Sequence, residues 1–147
     1  MGRGARARRG LTGLGVITLD EFVERLCRLG ADRGPRGFPR KRRDREILMK
    51  SVVLGLDGGR AYREREINER LVAWSREIAP AIEVDHVTLR RLLVDHGHLE
   101  RTADGSSYRV GFPPGMVAFE LAIFDLDLRE TVSAYREAAS KRKRIPA

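Results

Sequence analysis

Apolar side chains recur with a helical period in five stretches of this chain and alternate residue by residue in a sixth. Phe22, Leu26 and Leu29 form one stripe with Val23 beside it; Thr18 and Glu21 have capping-box spacing and Gly30 is a stop, which predicts a helix from Thr18 to Gly30. Cys27 falls near that stripe and reads as a small core residue. Ile47, Leu48, Val52, Val53, Leu54 and Leu56 are apolar over a wide arc and predict a central, buried helix from Arg40 to Leu56. Ile67, Leu71, Trp74 and Ile78 share a face of a third helix, Arg63 to Ile78, ended by Pro80. Asp85 stands where an N-cap is needed for a fourth, in which Leu89, Leu92, Leu93 and His96 lie together and Gly97 follows the last periodic position. Leu128, Val132, Tyr135 and Ala139 predict a fifth over 128–142, with Asp127 and Glu130 spaced as a second capping box.

The alternating stretch predicts a hairpin. Leu99, Arg101 and Ala103 interleave with Glu100 and Thr102, and Asp104-Gly105 predicts a type I′ turn with two positive φ values. Ser106 to Val110 returns, with Tyr108 toward the core. Arg60-Ala61-Tyr62 reads as a short strand able to pair with it, after an Asp57-Gly58-Gly59 turn. Helix, short strand, helix, turn, helix, hairpin is the order of a winged helix-turn-helix. The expected class is therefore α+β, a winged helix-turn-helix core with additional N- and C-terminal helices.

The expected organisation is a basic arm over 1–13, an N-terminal helix and linker over 14–35, a winged-helix domain over 36–111 and a helical C-terminal extension over 112–147. Within the extension, MVAFELAIF reads as helix or strand, because Val117, Phe119, Leu121 and Ile123 alternate. Met116, Phe119, Leu121, Ile123 and Phe124 either extend the core or form a homodimer contact through 116–139. Packing within one chain is the simpler expectation. Lys141 to Arg144 read as a mobile basic tail.

Charge adds a partner class. Twenty-nine Lys and Arg against 21 Asp and Glu give a net charge of +8 and a pI near 10.5, a field that attracts polyanions such as DNA, RNA or an anionic membrane surface. No apolar run approaches the roughly 20 residues of a spanning helix, nothing resembles a signal peptide, and the single cysteine excludes an internal disulfide, so a cytoplasmic protein is expected.

The candidate contacts lie on the fourth helix and the hairpin. On a helical wheel Arg91 points away from the leucine face, with Val87 beside it and Arg90 and Thr88 flanking. A helix buried on leucines and presenting arginine outward suits a DNA major groove, where an Arg fork matches the acceptors of guanine. Arg101 and Arg109 flank the hairpin turn within reach of phosphates, and Arg40, Lys41, Arg42 and Arg43 crowd a helix N-terminus that disfavours cations, which suggests an anionic partner. The plainer alternatives are a solvated Arg91–Asp95 pair at i,i+4 and a basic linker running into a helix. His86, His96 and His98 have no supporting frame for a metal site, and no nucleophile–base set or phosphate loop is present. No metal, cofactor or enzymatic activity is expected. The expected function is a DNA-binding transcriptional regulator on double-stranded DNA; a winged-helix protein-interaction module and a structured-RNA binder are the alternatives.

The run Tyr62, Glu64, Glu66, Ile67, Asn68, Leu71, then Leu89-Arg90-Arg91-Leu92-Leu93-Val94-Asp95-His96-Gly97, then Arg101, Asp104-Gly105 and Tyr108 resembles a bacterial family, domain of unknown function 2087. The resemblance covers Lys41 to Val110. Members of that family stand alone or are joined to regulators of transcription, so the resemblance implies a regulatory, DNA-associated role. This chain departs from the pattern in two places. Arg63 replaces the usual threonine N-cap, and the stretch from Ser75 to Val84 is longer.

Overall fold

The computed structural model describes residues 15–31, 35–113 and 117–144. The arm expected over 1–13, part of the linker, Met116 and the last three residues lie outside the described residues. The elements are β1 (Val16–Ile17), α1 (Leu19–Ala31), α2 (Arg42–Val53), β2 (Tyr62–Arg63), α3 (Glu64–Glu77), α4 (His86–Asp95), β3 (Leu99–Arg101), β4 (Ser107–Val110), β5 (Ala118–Phe119), a 3₁₀ turn (Leu121–Asp125) and α5 (Leu128–Arg144). The class is α+β. A three-stranded antiparallel sheet runs β2-β4-β3, and a separate parallel pair joins β1 to β5.

The helices start and stop where local chemistry allows. Thr18 Oγ1 accepts from the Glu21 N–H at 3.2 Å, Asp85 Oδ1 from Thr88 at 2.7 Å and Asp127 Oδ1 from Glu130 at 3.1 Å, so three N-termini have side-chain caps. At α3 the missing threonine is half replaced: Glu66 Oε1 accepts from the Arg63 N–H at 3.1 Å, the only half of a capping box an arginine N-cap permits. α4 ends in a Schellman motif. His98 N–H donates to the Leu93 carbonyl at 2.8 Å and Gly97 N–H to Val94 at 3.1 Å, with Gly97 at φ +83°. That tight stop turns His98 inward instead of leaving it on the helix.

The hairpin forms, but its turn differs from expectation. Gly105 (φ +74°) is the one residue of the turn with positive φ; Asp104 keeps a negative value, so the turn is not type I′. Gly105 N–H closes onto the Thr102 carbonyl at 2.8 Å, and the Asp104 carboxylate accepts from Thr102 Oγ1, Ser106 N–H and Ser106 Oγ. Those bonds hold Asp104 without the left-handed geometry and lower its pKa to about 2.

One apolar cluster joins all these pieces. Ile47, Leu48, Met49 and Val52 of α2 meet Phe22 and Leu26 of α1, Ile67, Leu71 and Trp74 of α3, Leu89 and Leu93 of α4, and Ile123 and Val132 from the C-terminal region. Each such side chain stabilises the fold by about 1.5–3 kcal/mol when fully buried. Of the C-terminal apolar residues weighed between core and dimer contact, Ile123 is buried in the core and Phe119 packs against it, Leu121 and Phe124 stay exposed, and Met116 lies outside the described residues; Val117, Leu128 and Val132 add to the core. The described part of MVAFELAIF, from Val117, holds a two-residue strand and a 3₁₀ turn, and the segment expected as a mobile tail is helical through Arg144. The long connection after α3 docks: Arg36 bridges Ile82, and Ala81 N–H reaches the Gly30 carbonyl at 2.8 Å.

Candidate functional site

α4 and the hairpin enclose an open groove of about 280 Å³ lined by Val87, Arg90, Arg91, Val94, Asp95, Arg101 and Tyr108. Its position follows from the packing below it. Leu89 and Leu93 are fully buried, which fixes the rotation of α4, and Tyr108 is buried at the root of the hairpin, which fixes the wall opposite. Helical phase then turns Arg91 outward.

Arg90 and Arg43 are held internally. Arg90 Nη2 pairs with Glu64 at 2.9 Å, Nη1 donates to Asn68, and the guanidinium stands 5.9 Å from the Tyr108 ring centre. Its side chain is only 16% exposed, so the fork expected to face a partner instead ties α4 to α3 and to the hairpin. Arg43 is bound to Glu21 and to the Val16 carbonyl at 3.1 Å; the Arg43 hydrogen bond lowers the Glu21 pKa. Nearby, Arg25 pairs with Asp44 at 2.9 Å. Part of the basic cluster at the start of α2 therefore fastens α2 to α1.

The others face solvent. Val87 is 42% exposed, and Thr88, Arg91, Arg101 and Arg109 are exposed. Arg91 and Arg101 have no ion-pair partner among the described residues, and the Arg91–Asp95 pair weighed as the plainer alternative is not formed. Arg101 lies back over the turn, where a Cβ on Gly105 would come within 2.6 Å of its Nη2. Arg109 stands across from Glu100 in the β3–β4 register, and Thr88 also donates through its hydroxyl to Asp85. Arg40, Lys41 and Arg42 are exposed at the approach to α2.

Residues 36–110 match the family described as uncharacterized protein conserved in bacteria, DUF2087. The chain belongs to this family. The DUF2087 match covers just over half the chain, beginning at the Arg36 that bridges Ile82 and ending with the last residue of β4. α1, β5 and α5 lie outside it yet share its core. No curated protein and no solved structure matches the chain.

A buried pairing also escaped sequence reasoning. His98 Nε2 lies 2.8 Å from Glu46 Oε2, with side-chain exposures of 1% and 9%, linking the α4–β3 corner to the first turns of α2. Burial pushes the Glu46 carboxyl up, but the His98 hydrogen bond and the charges of His98, Arg45 and Arg42 outweigh it, and the net pKa is lowered. The two residues are 52 positions apart, and His98 sits in the turn between α4 and β3, so no local signal marks the pair. No group of three or more His, Cys, Asp or Glu side chains gathers at metal-binding distance among the described residues, and no helix there is long and apolar enough to cross a membrane.

Proposed function

We propose that this chain binds duplex DNA as a winged-helix regulatory factor, with α4 entering the major groove and the β3–β4 hairpin serving as the wing on the backbone. One observation carries the reading: Arg91 and Arg101 line the same groove, both exposed and both without an acidic partner among the described residues. The order of elements from α2 to β4 and the sheet order β2-β4-β3 support the winged-helix assignment. Arg91 is the base-reading candidate, its fork suited to guanine O6 and N7, and Val87 beside it suits a thymine methyl. Arg101, Arg109 and the exposed Arg40, Lys41 and Arg42 supply phosphate contacts. Arg90 has a different role from the one its sequence position suggests: it positions α4 and leaves the reading to its neighbour.

Selection from a random duplex library with the full chain, followed by gel shifts at two salt concentrations, tests this. An enriched motif is expected, with Arg91→Ala weakening binding by about 1–3 kcal/mol and relaxing preference at one base pair. Arg101→Ala is expected to weaken all sequences alike and to flatten the salt dependence. Unchanged affinity and salt slope in the double variant would remove the assignment. The exposed Leu121 (82%) and Phe124 (51%) support the protein-docking alternative, for which partner capture would survive nuclease treatment.

A further inference from the structure

On the far side of α3 from the groove, a cavity of about 370 Å³ opens between the C-terminal end of α2, α3 and the start of α5. Its wall includes Leu54, Gly55, Arg70, Ala73, Trp74 and Leu128, with Glu77, Asp127 and Arg129 at the polar end. The charges there are largely accounted for. Arg129 pairs with Glu77 at 2.6 Å, and the Asp127 carboxylate caps α5. Arg70 is left over. Its Nε donates to the Val52 carbonyl at 3.1 Å, while neither Nη has a partner among the described residues. Burial pushes its pKa down, and the Glu77 charge offsets this without cancelling it.

Gly55 leaves room for that guanidinium. Gly55 has an ordinary backbone φ, yet a Cβ there would lie 2.4–2.7 Å from the Arg70 guanidinium atoms, so residue 55 must lack a side chain for Arg70 to rest where it does. The result is a planar two-donor fork at the wall of a cavity lined otherwise by apolar side chains such as Leu54, Ala73 and Leu128 and by the charged Glu77, Asp127 and Arg129. Pockets of this size hold small organic molecules, and a fork of this geometry takes a carboxylate in two parallel hydrogen bonds. The lining carries Arg70 and Arg129 against Glu77 and Asp127, so its formal charges balance, and a ligand with one negative charge is tolerated better there than a phosphate dianion.

We propose that this cavity binds a small organic monocarboxylate, with its carboxylate on the Arg70 fork and its apolar body against Ala73, Leu54 and Leu128. The site is separate from the α4 groove and does not depend on the DNA reading. Trp74 is the chain's one tryptophan, so its emission reports occupancy directly.

The full chain is titrated with benzoate and hexanoate, with benzamide as the uncharged analogue and inorganic phosphate as the dianion; Trp74 emission and Tm are the readouts. Saturable binding of at least one monocarboxylate with a raised Tm is expected, and benzamide and phosphate should bind at least tenfold more weakly. Arg70→Gln should weaken carboxylate binding at least tenfold. Should that variant unfold, Ala73→Leu carries the test, because it fills the cavity and leaves the Arg70–Val52 bond alone; it should abolish the response. No response to either monocarboxylate, equal response to benzamide, preference for phosphate, or unchanged affinity in the variant that folds would overturn the proposal.

Discussion

Arg90 and Arg91 are neighbours on one helix and have opposite fates. Arg90 leans toward α3, meets Glu64 and Asn68 and is mostly covered; Arg91, one helical step further round, meets solvent. The start of α2 repeats the contrast, with Arg43 bound to Glu21 while Arg40 and Lys41 face outward. In a chain with 29 Lys and Arg, the number of charges therefore says little about which are available to a partner. Availability depends on helical phase and on which acidic side chains the fold brings alongside.

The largest expected effect comes from the contact that joins the two arginine regions. Removing one partner of a buried pair strands the other, so His98→Ala should cost about 3 kcal/mol or more, read as a shift in urea midpoint. A loss within experimental error would show that the α4–β3 corner is held by packing alone. Next in size, Arg91→Ala should lower duplex affinity by about 1–3 kcal/mol with thermal stability unchanged. Arg43→Ala should do the reverse: about 1 kcal/mol of stability lost and duplex affinity changed less than in Arg91→Ala. Equal affinity losses in both variants would break the contrast between held and available arginines.

Glu64→Gln sharpens it further. Loss of the ion pair leaves Arg90 held to α3 by Asn68 alone, and because Glu64 is half exposed the stability cost should stay at about 1 kcal/mol. If base preference changes, Arg90 position controls how α4 is presented.

The smallest effect at neutral pH, and a growing one in acid, concerns the carboxylates that fasten these regions. Glu21 and Glu46 have lowered pKa values in the folded chain, and Asp104 is lowered to about 2. Groups depressed on folding contribute their full stability above the unfolded value, about 4 for carboxylates, and lose it as pH falls through the folded value. Urea midpoints should therefore be flat above pH 5 and decline progressively from about pH 4 toward pH 2. Glu21→Gln should shallow that decline; an unaltered acid profile in that variant would show that the Arg43 pairing adds nothing.

Much of this architecture is written locally. Apolar spacing placed all five helices, and the Thr18, Asp85 and Asp127 caps fixed where three of them begin, because hydrogen bonds to residues three positions away need no tertiary partner. The hairpin was legible for the same reason, although the Asp104 side-chain bonds chose a turn that dipeptide preference did not. Helical phase also separated the faces of α4 and put Arg91 outside. What sequence alone left undecided depended on contacts across long separations. Glu64 and Asn68 claimed Arg90, Glu21 claimed Arg43, Glu46 met His98, and the C-terminal segment joined the same core as the family-matched region. Which charge meets which is set by how helices cross, and a crossing angle is a property of packed surfaces that no single segment carries.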